Sequence, residues 1–279
     1  MKSPWLIIFT LLTTSLAFNT SYAETQDEDL KKYRTFFLNK FSNLKLEDFK
    51  DGVYALDSIA RESWIEIEEF PPYEIYIEEG EELFNKAFSN GKTFADCFPN
   101  KGIGIADQYP YWNNERKEVI TLPLAVNECH EKNNGKKLKY GKGKLASIVS
   151  YMVSTTRGKK TNIIIPSDSD ALAAYEKGKQ FFFARRGQLN FSCAHCHMAY
   201  SGSHIRTEVL GPTLGQTTGF PVYRSKWGNM GTLHRRFSGC NKQVRAKPFK
   251  LQSEEYRNLE YFITHMSNGI TINGPSARR

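Results

Sequence analysis

Beyond one N-terminal stretch, the 279-residue chain has no long apolar run. That stretch, Trp5 to Phe18, is shorter than the roughly 20 residues that cross a bilayer, so no membrane span is expected. Strand-type alternation is scarce, which argues against a sheet-based fold. No nucleic-acid-binding motif accompanies the net charge of +8. Cysteine is also sparse, and its odd count of five leaves at least one residue outside any pairing.

What the N-terminus does have is the pattern of an export signal. Lys2 gives a positive start, the apolar stretch follows, and Ser21-Tyr22-Ala23 supplies small residues for cleavage after Ala23. The mature chain, about 256 residues (279 minus 23), then suits two domains of roughly 100 to 150 residues each. The positive charge is confined to one end. Ser201 to Arg279 holds 12 Lys plus Arg against 4 Glu, so the remainder of the chain is neutral overall. In an exported protein such a field attracts acidic partners and small oxyanions rather than nucleic acid.

Residues 24–73 are charge-rich and read as an extension that wraps a domain. Asp27, Glu28 and Asp29 open a helix at its positive end, and Pro71-Pro72 marks a break. Two later segments follow one plan. A helix over Glu79 to Ser89 precedes Cys97, and a second, Lys144 to Thr156, runs towards Gly158. A helix over Ser169 to Arg185 precedes Cys193, and the last, Ser253 to Ser267, runs towards Gly269. Each final glycine suits a left-handed C-cap. The expected fold is mostly α, with domains at 74–163 and 164–279 and long loops that line a site.

Cys193-Ala194-His195-Cys196-His197 carries the sharpest chemistry. Two thiols with two residues between them can form thioethers to adjacent haem vinyl groups, and the histidine that follows is turned under the ring to ligate iron. A redox disulfide or half a zinc site would explain the cysteines but not His197. His195 is read as a spacer. One c-type haem is therefore expected.

The sixth ligand separates a carrier from an enzyme. Met198 is too close to His197 to reach the other face, and Met266 suits the core. Met230, His204, His234 and Cys240 stay open. Cys97, Cys129 and Cys240 can make one disulfide between them; pairing the first two would close a loop of about 33 residues, worth ~3.7 kcal/mol. Cys240 would then be free among cations: His234-Arg235-Arg236 before it, and Lys242, Arg245, Lys247 and Lys250 after it. Cations favour thiolate over thiol, and the thiolate is both nucleophile and metal ligand.

At this point the chain resembles the SoxA family, the cytochrome subunit of L-cysteine S-thiosulfotransferase. The resemblance rests on Phe94-Ala95-Asp96-Cys97-Phe98-Pro99-Asn100, Thr121 to Cys129, Cys193 to His197, and Arg235-Arg236-Phe237-Ser238-Gly239-Cys240-Asn241. It implies two fused cytochrome c-like domains. Phe98 and Asn100 stand where a second haem motif would need histidine and cysteine, which implies the single-haem type, with haem in the C-terminal domain and a Cys97–Cys129 disulfide in the first. It further implies that Cys240 is the distal iron ligand and the reactive cysteine, able to carry a persulfide, and that Arg236 binds substrate. The implied activity joins thiosulfate to a cysteine of the carrier SoxY in the periplasm, electrons leaving through haem to the small cytochrome subunit SoxX.

Three readings compete with it. They are a plain periplasmic electron carrier ligated by Met230 or a histidine, a haem thiosulfate dehydrogenase that forms tetrathionate, and a structural haem subunit. His130, His204, His234 and His265 read as ordinary surface or core histidines, Lys136 to Lys144 as a solvated loop, and Trp227 as packing on haem or core. Ile270 to Arg279 reads as a tail on the surface or against a partner.

Overall fold

The structure, a computed structural model, describes residues 25–205 and 207–278. The expected leader and its cleavage after Ala23 lie outside these residues. Among the described residues no helix is long and apolar enough to cross a membrane.

The molecule is mostly helical. Helix α1 (Gln26–Lys40) opens on a capping box between Thr25 and Glu28, with Asp27, Glu28 and Asp29 in its first turn. Helices α2 (Ser58–Glu69) and α3 (Glu74–Asn85) flank the Pro71-Pro72 break. The chain continues through hairpin β1 (Tyr111–Asn113) and β2 (Glu118–Ile120) into α4 (Leu122–Lys132), α5 (Lys144–Ser154) and α6 (Ser169–Phe183). After the Cys193 to His197 turn come a short ladder, β3 (His204–Ile205) with β4 (Glu208–Val209), and hairpin β5 (Val222–Arg224) with β6 (Asn229–Gly231). Helices α7 (Leu233–Gln243) and α8 (Glu254–Met266) and strand β7 (Ser276–Arg278) end the chain.

Two aromatic-rich cores organise these elements. One gathers Phe84 of α3, Phe94, Val126 of α4, and Leu145, Ile148 and Met152 of α5. The other gathers Tyr175 and Phe182 of α6, Leu233 and Phe237 of α7, and Tyr256, Phe262 and Met266 of α8. Each contains a pair of helices crossing at a glycine. A Cβ on Gly80 of α3 would lie 2.0 Å from the Ser147 carbonyl oxygen and 3.0 Å from Tyr151 Cβ. A Cβ on Gly178 of α6 would lie 2.0 Å from the Asn258 carbonyl oxygen and 3.0 Å from Phe262 Cβ. The same missing side chain lets each helix press its backbone against its partner's, so the two segments share a crossing as well as a sequence plan.

Three expectations change. Gly158 and Gly269 do adopt positive φ (85° and 77°), but α5 and α8 stop earlier, at Ser154 and Met266, and a further turn intervenes. The N-terminal extension is more than a wrap: Tyr33 and Phe37 of α1 and the nearby Phe49 sit inside the second core. Asp29, 7% exposed, receives Lys179 Nζ of α6 at 2.7 Å and the Tyr175 hydroxyl at 3.0 Å. The C-terminal tail is interior rather than superficial. Ile270 is in one core and Ile272 in the other, and β7 pairs in parallel with β5. Apolar residues two apart in an extended tail can enter two cores, and that ties them together.

Candidate active site

Helix α7 provides the centre of the site. Leu233, Phe237 and Asn241 recur every fourth residue and are buried. Arg236 and Cys240, also four apart, share the neighbouring face. Facing them is the turn that carries Cys193, Cys196 and His197. Ser192 opens this turn: its Oγ accepts from His195 N at 3.2 Å and meets His195 Nδ1 at 2.7 Å. His195 is thus a capping partner rather than a spacer.

His197 Nδ1 lies 2.8 Å from the Gly211 carbonyl oxygen, which can only accept, so the proton belongs on Nδ1. Thr213 N donates to the His197 carbonyl at 3.1 Å, which holds the residue from its backbone as well. Nε2 is thereby left available to a metal, and the His197 ring is among the groups that act on the Cys240 thiol. Of the four side chains weighed as distal ligand, Cys240 is the one brought to His197. Met230 is buried with Tyr73, Ala146 and Ala277 in a separate small cluster. His204 is exposed on β3. Buried His234 accepts from Gln252 N at its Nδ1, with Nε2 2.9 Å from Glu260. Met266 is in the core, His265 meets the Ile163 carbonyl, and His130 the Lys136 carbonyl.

The cysteines divide as two and three. Cys97 and Cys129 form a disulfide, whereas Cys193, Cys196 and Cys240 are unpaired. The three free thiols differ in acidity. Burial and the neighbouring Cys240 push the Cys193 thiol up to about 12, and burial also raises Cys196. Burial pushes Cys240 up as well, but Arg236, His197 and Arg224 outweigh it and bring the thiol down to about 7. Of these cations only Arg236 belongs to the run expected from sequence. Arg235 turns away to Asn229 and the ring of Trp227, and the leading cationic influences do not include Lys242, Arg245, Lys247 or Lys250. Arg224, on β5, is one the sequence reading missed. Its matching position in the first hairpin is Asn113, and that contrast between the two hairpins was the available signal.

The donor set fits a covalently held haem. It combines two unpaired thiols on one turn, an imidazole already bonded at Nδ1, and a facing thiol biased towards its anion. Comparisons with known proteins agree. The profile of the SoxA/TsdA cytochrome c domain matches residues 79–161 and 177–272, and a cytochrome c domain implies c-type haem. The L-cysteine S-thiosulfotransferase subunit SoxA of Allochromatium vinosum is 54% identical over 258 residues, 92% of each chain. The subunit of the same name from Chlorobaculum tepidum is 51% identical over 275 residues, 98% of this chain and 96% of that one. Among solved structures, a chain of SoxXA from P. pantotrophus superimposes with a TM-score of 0.71 at 29% identity, covering 78% of this chain and 84% of that one. With the profile spanning both helical cores and identity above half along nearly the whole length, this chain belongs to the SoxA family of cytochromes c.

Proposed function

We propose that this chain is the catalytic cytochrome subunit of an L-cysteine S-thiosulfotransferase, which conjugates thiosulfate oxidatively to a cysteine of the carrier protein SoxY. It is exported to the periplasm with cleavage after Ala23, and works beside a small cytochrome subunit, SoxX. An extension, 24–73, is followed by a haem-less cytochrome c-like domain, 74–163, with the Cys97–Cys129 disulfide, and by a domain, 164–279, with a single haem. Cys193 and Cys196 would hold that haem, with His197 and Cys240 as axial ligands. When bound, the haem supplies a one-electron redox centre through which two electrons leave singly.

One observation carries this reading. Of three unpaired thiols around one space, Cys240 alone is biased towards thiolate, and it is so in the company of guanidinium groups that suit a dianion. The Cys240 thiolate and the outer sulfur of thiosulfate form a disulfide bond with loss of two electrons, giving Cys240–S–S–SO3⁻. Arg236 offsets the charge of the arriving dianion. The carrier thiol, having released its proton, attacks the sulfur next to the sulfonate; the Cys240–S bond breaks, Cys240 thiolate leaves, and the carrier bears –S–S–SO3⁻. Cys240 can also retain an extra sulfur as a persulfide.

The test is the variant Cys240→Ser assembled with the small cytochrome and assayed by mass spectrometry for thiosulfonate on the carrier. Conjugation should fall at least a thousandfold while haem stays covalently attached through Cys193 and Cys196. Undiminished conjugation would refute the reading, and turnover of thiosulfate without carrier would point to tetrathionate formation.

A further inference from the structure

Helix α6 and the segment that follows α7 bound an open groove of about 490 Å³ that no step of the transfer uses. Lys177, Gln180 and Phe181, three and four residues apart, share the face of α6 that forms one wall. The helix ends at Phe183, and Arg185 continues this wall past it. Ala246, Lys247 and Phe249 form the opposite wall. Beside Arg186 and Ala246 the two walls touch. A Cβ on Gly187, whose φ is 69°, would lie 2.0 Å from the Val244 carbonyl oxygen, so glycine is what lets the backbones meet there.

The charge of this groove has one sign: among the described residues that line it are Lys177, Arg185, Arg186 and Lys247, and no acidic residue. Two of the four are already engaged. Lys177 pairs with Glu254, outside the lining, at 2.8 Å, and Arg186 lies 3.5 Å from the centroid of the Phe181 ring with Nη2 donating to the Phe181 carbonyl. Arg185 and Lys247 are exposed. Between the cations the surface is apolar, with Phe181 and Phe249 packed edge to face at 5.6 Å and Phe249 39% exposed. The floor offers an acceptor. Asn241 is 5% exposed; its Nδ2 donates to the Phe237 carbonyl at 2.9 Å and to the Tyr256 hydroxyl at 3.0 Å, while its Oδ1 has no partner among the described residues. A buried acceptor in that state is costly, which favours a donor that enters the groove.

These features select the ligand. An inorganic oxyanion would meet Arg185 and Lys247, but it brings no N–H for Asn241 and nothing for the phenyl rings. An extended acidic peptide brings backbone N–H groups, carboxylates and an apolar side chain together. We infer that the groove docks an acidic segment of a partner protein, its carboxylates on Arg185 and Lys247, an apolar side chain against Phe181 and Phe249, and a backbone N–H on Asn241 Oδ1. This does not depend on the chemistry assigned to Cys240. The loop that leaves the groove runs to the turn holding Cys193 and Cys196: Arg186 N donates to the Phe191 carbonyl at 3.1 Å, two residues before Cys193, and Leu189 and Phe191 are exposed along it. A docked partner therefore sits one loop from that turn.

The experiment titrates the haem-loaded protein, by calorimetry at low ionic strength, with a short synthetic peptide of aspartate and glutamate around one leucine. The peptide should bind more tightly than its asparagine and glutamine counterpart, and equimolar inorganic phosphate should not displace it. Arg185→Gln/Lys247→Gln should weaken binding about three- to tenfold. Ala184→Glu, which sets a carboxylate at an exposed position in the lining, should weaken it at least as much. Lys136→Gln/Lys139→Gln removes two exposed cations elsewhere and should leave affinity unchanged. An unaltered haem spectrum shows each variant to be folded. Absence of binding to the parent overturns the inference, as does unchanged affinity in both Arg185→Gln/Lys247→Gln and Ala184→Glu. Equal weakening in Lys136→Gln/Lys139→Gln would mean attraction to net charge alone, and displacement by phosphate would mean a simple anion site; either result also overturns it.

Discussion

Cys129 and Cys240 occupy the same place in two matching helices. Thr121 and Thr232 hold the N-cap positions of α4 and α7, each follows a three-residue hairpin strand, and each is followed by its cysteine after the same interval. One framework has thus put one thiol to two uses. Cys129 meets Cys97 and is oxidised to a disulfide, whereas Cys240 meets His197 and is left free. The difference lies in what the preceding loop offers: a lone cysteine in the first half, and in the second the turn holding Cys193, Cys196 and His197.

The disulfide should therefore stabilise the first core without serving the chemistry. Its cysteines are 32 residues apart, for which loop closure predicts a contribution of ~3.7 kcal/mol. The double variant Cys97→Ala/Cys129→Ala should lose about that much in urea unfolding while the haem spectrum of the folded protein is kept. A spectrum that changes with the disulfide would mean the two cores are more tightly coupled than this.

Cys240 should also set the redox potential. Replacing it by methionine exchanges a strongly donating thiolate for a thioether, so Cys240→Met should raise the haem potential, by on the order of hundreds of millivolts. Potentiometric titration measures this directly. A potential that does not move would place Cys240 off the iron.

Asp29 anchors α1 to α6 through Lys179, whose side chain is 24% exposed. Removing one partner leaves the other charge poorly solvated, so Asp29→Ala should cost about 3 kcal/mol. Asp29→Ala/Lys179→Met should recover much of that loss, since the charge left behind goes too. Denaturant midpoints of the two variants and the parent decide it.

His265 gives stability an acid limb. Burial lowers its pKa below the ordinary 6.5, against the opposing bond to the Ile163 carbonyl. The folded state holds the ring neutral, so below 6.5 the unfolded chain binds more protons; the stabilisation is complete above 6.5 and is lost as pH falls towards the folded pKa. His265→Gln should be less stable at neutral pH but lose less on going to about pH 5. Urea midpoints at the two pH values test this, and parallel losses in parent and variant would exclude His265 as the cause.

Much of the fold was legible because it is written locally. The expected helix from Ser253 to Ser267 is α8, Glu254–Met266, with those two serines as its caps. Lys144 opens α5 and Ser169 opens α6 where expected, because apolar periodicity and capping residues act over a few neighbours. The family could be read for the same reason. Its motifs are short, and their spacing follows from the chemistry of two thioethers and one imidazole.

The amino-acid sequence by itself determined the helices, the spacing of Cys193, Cys196 and His197, and the four-residue interval that puts Arg236 and Cys240 on one face of α7. Only the tertiary structure decided what lies against them. It sent α1 into the far core and Ile270 and Ile272 into different cores, turned Arg235 away from Cys240, and brought Arg224 to it from a separate hairpin. Local pattern fixes which way a side chain leaves its own helix, whereas the field at a sulfur atom sums over every charge packed around it, and those charges come from parts of the chain that meet only on folding.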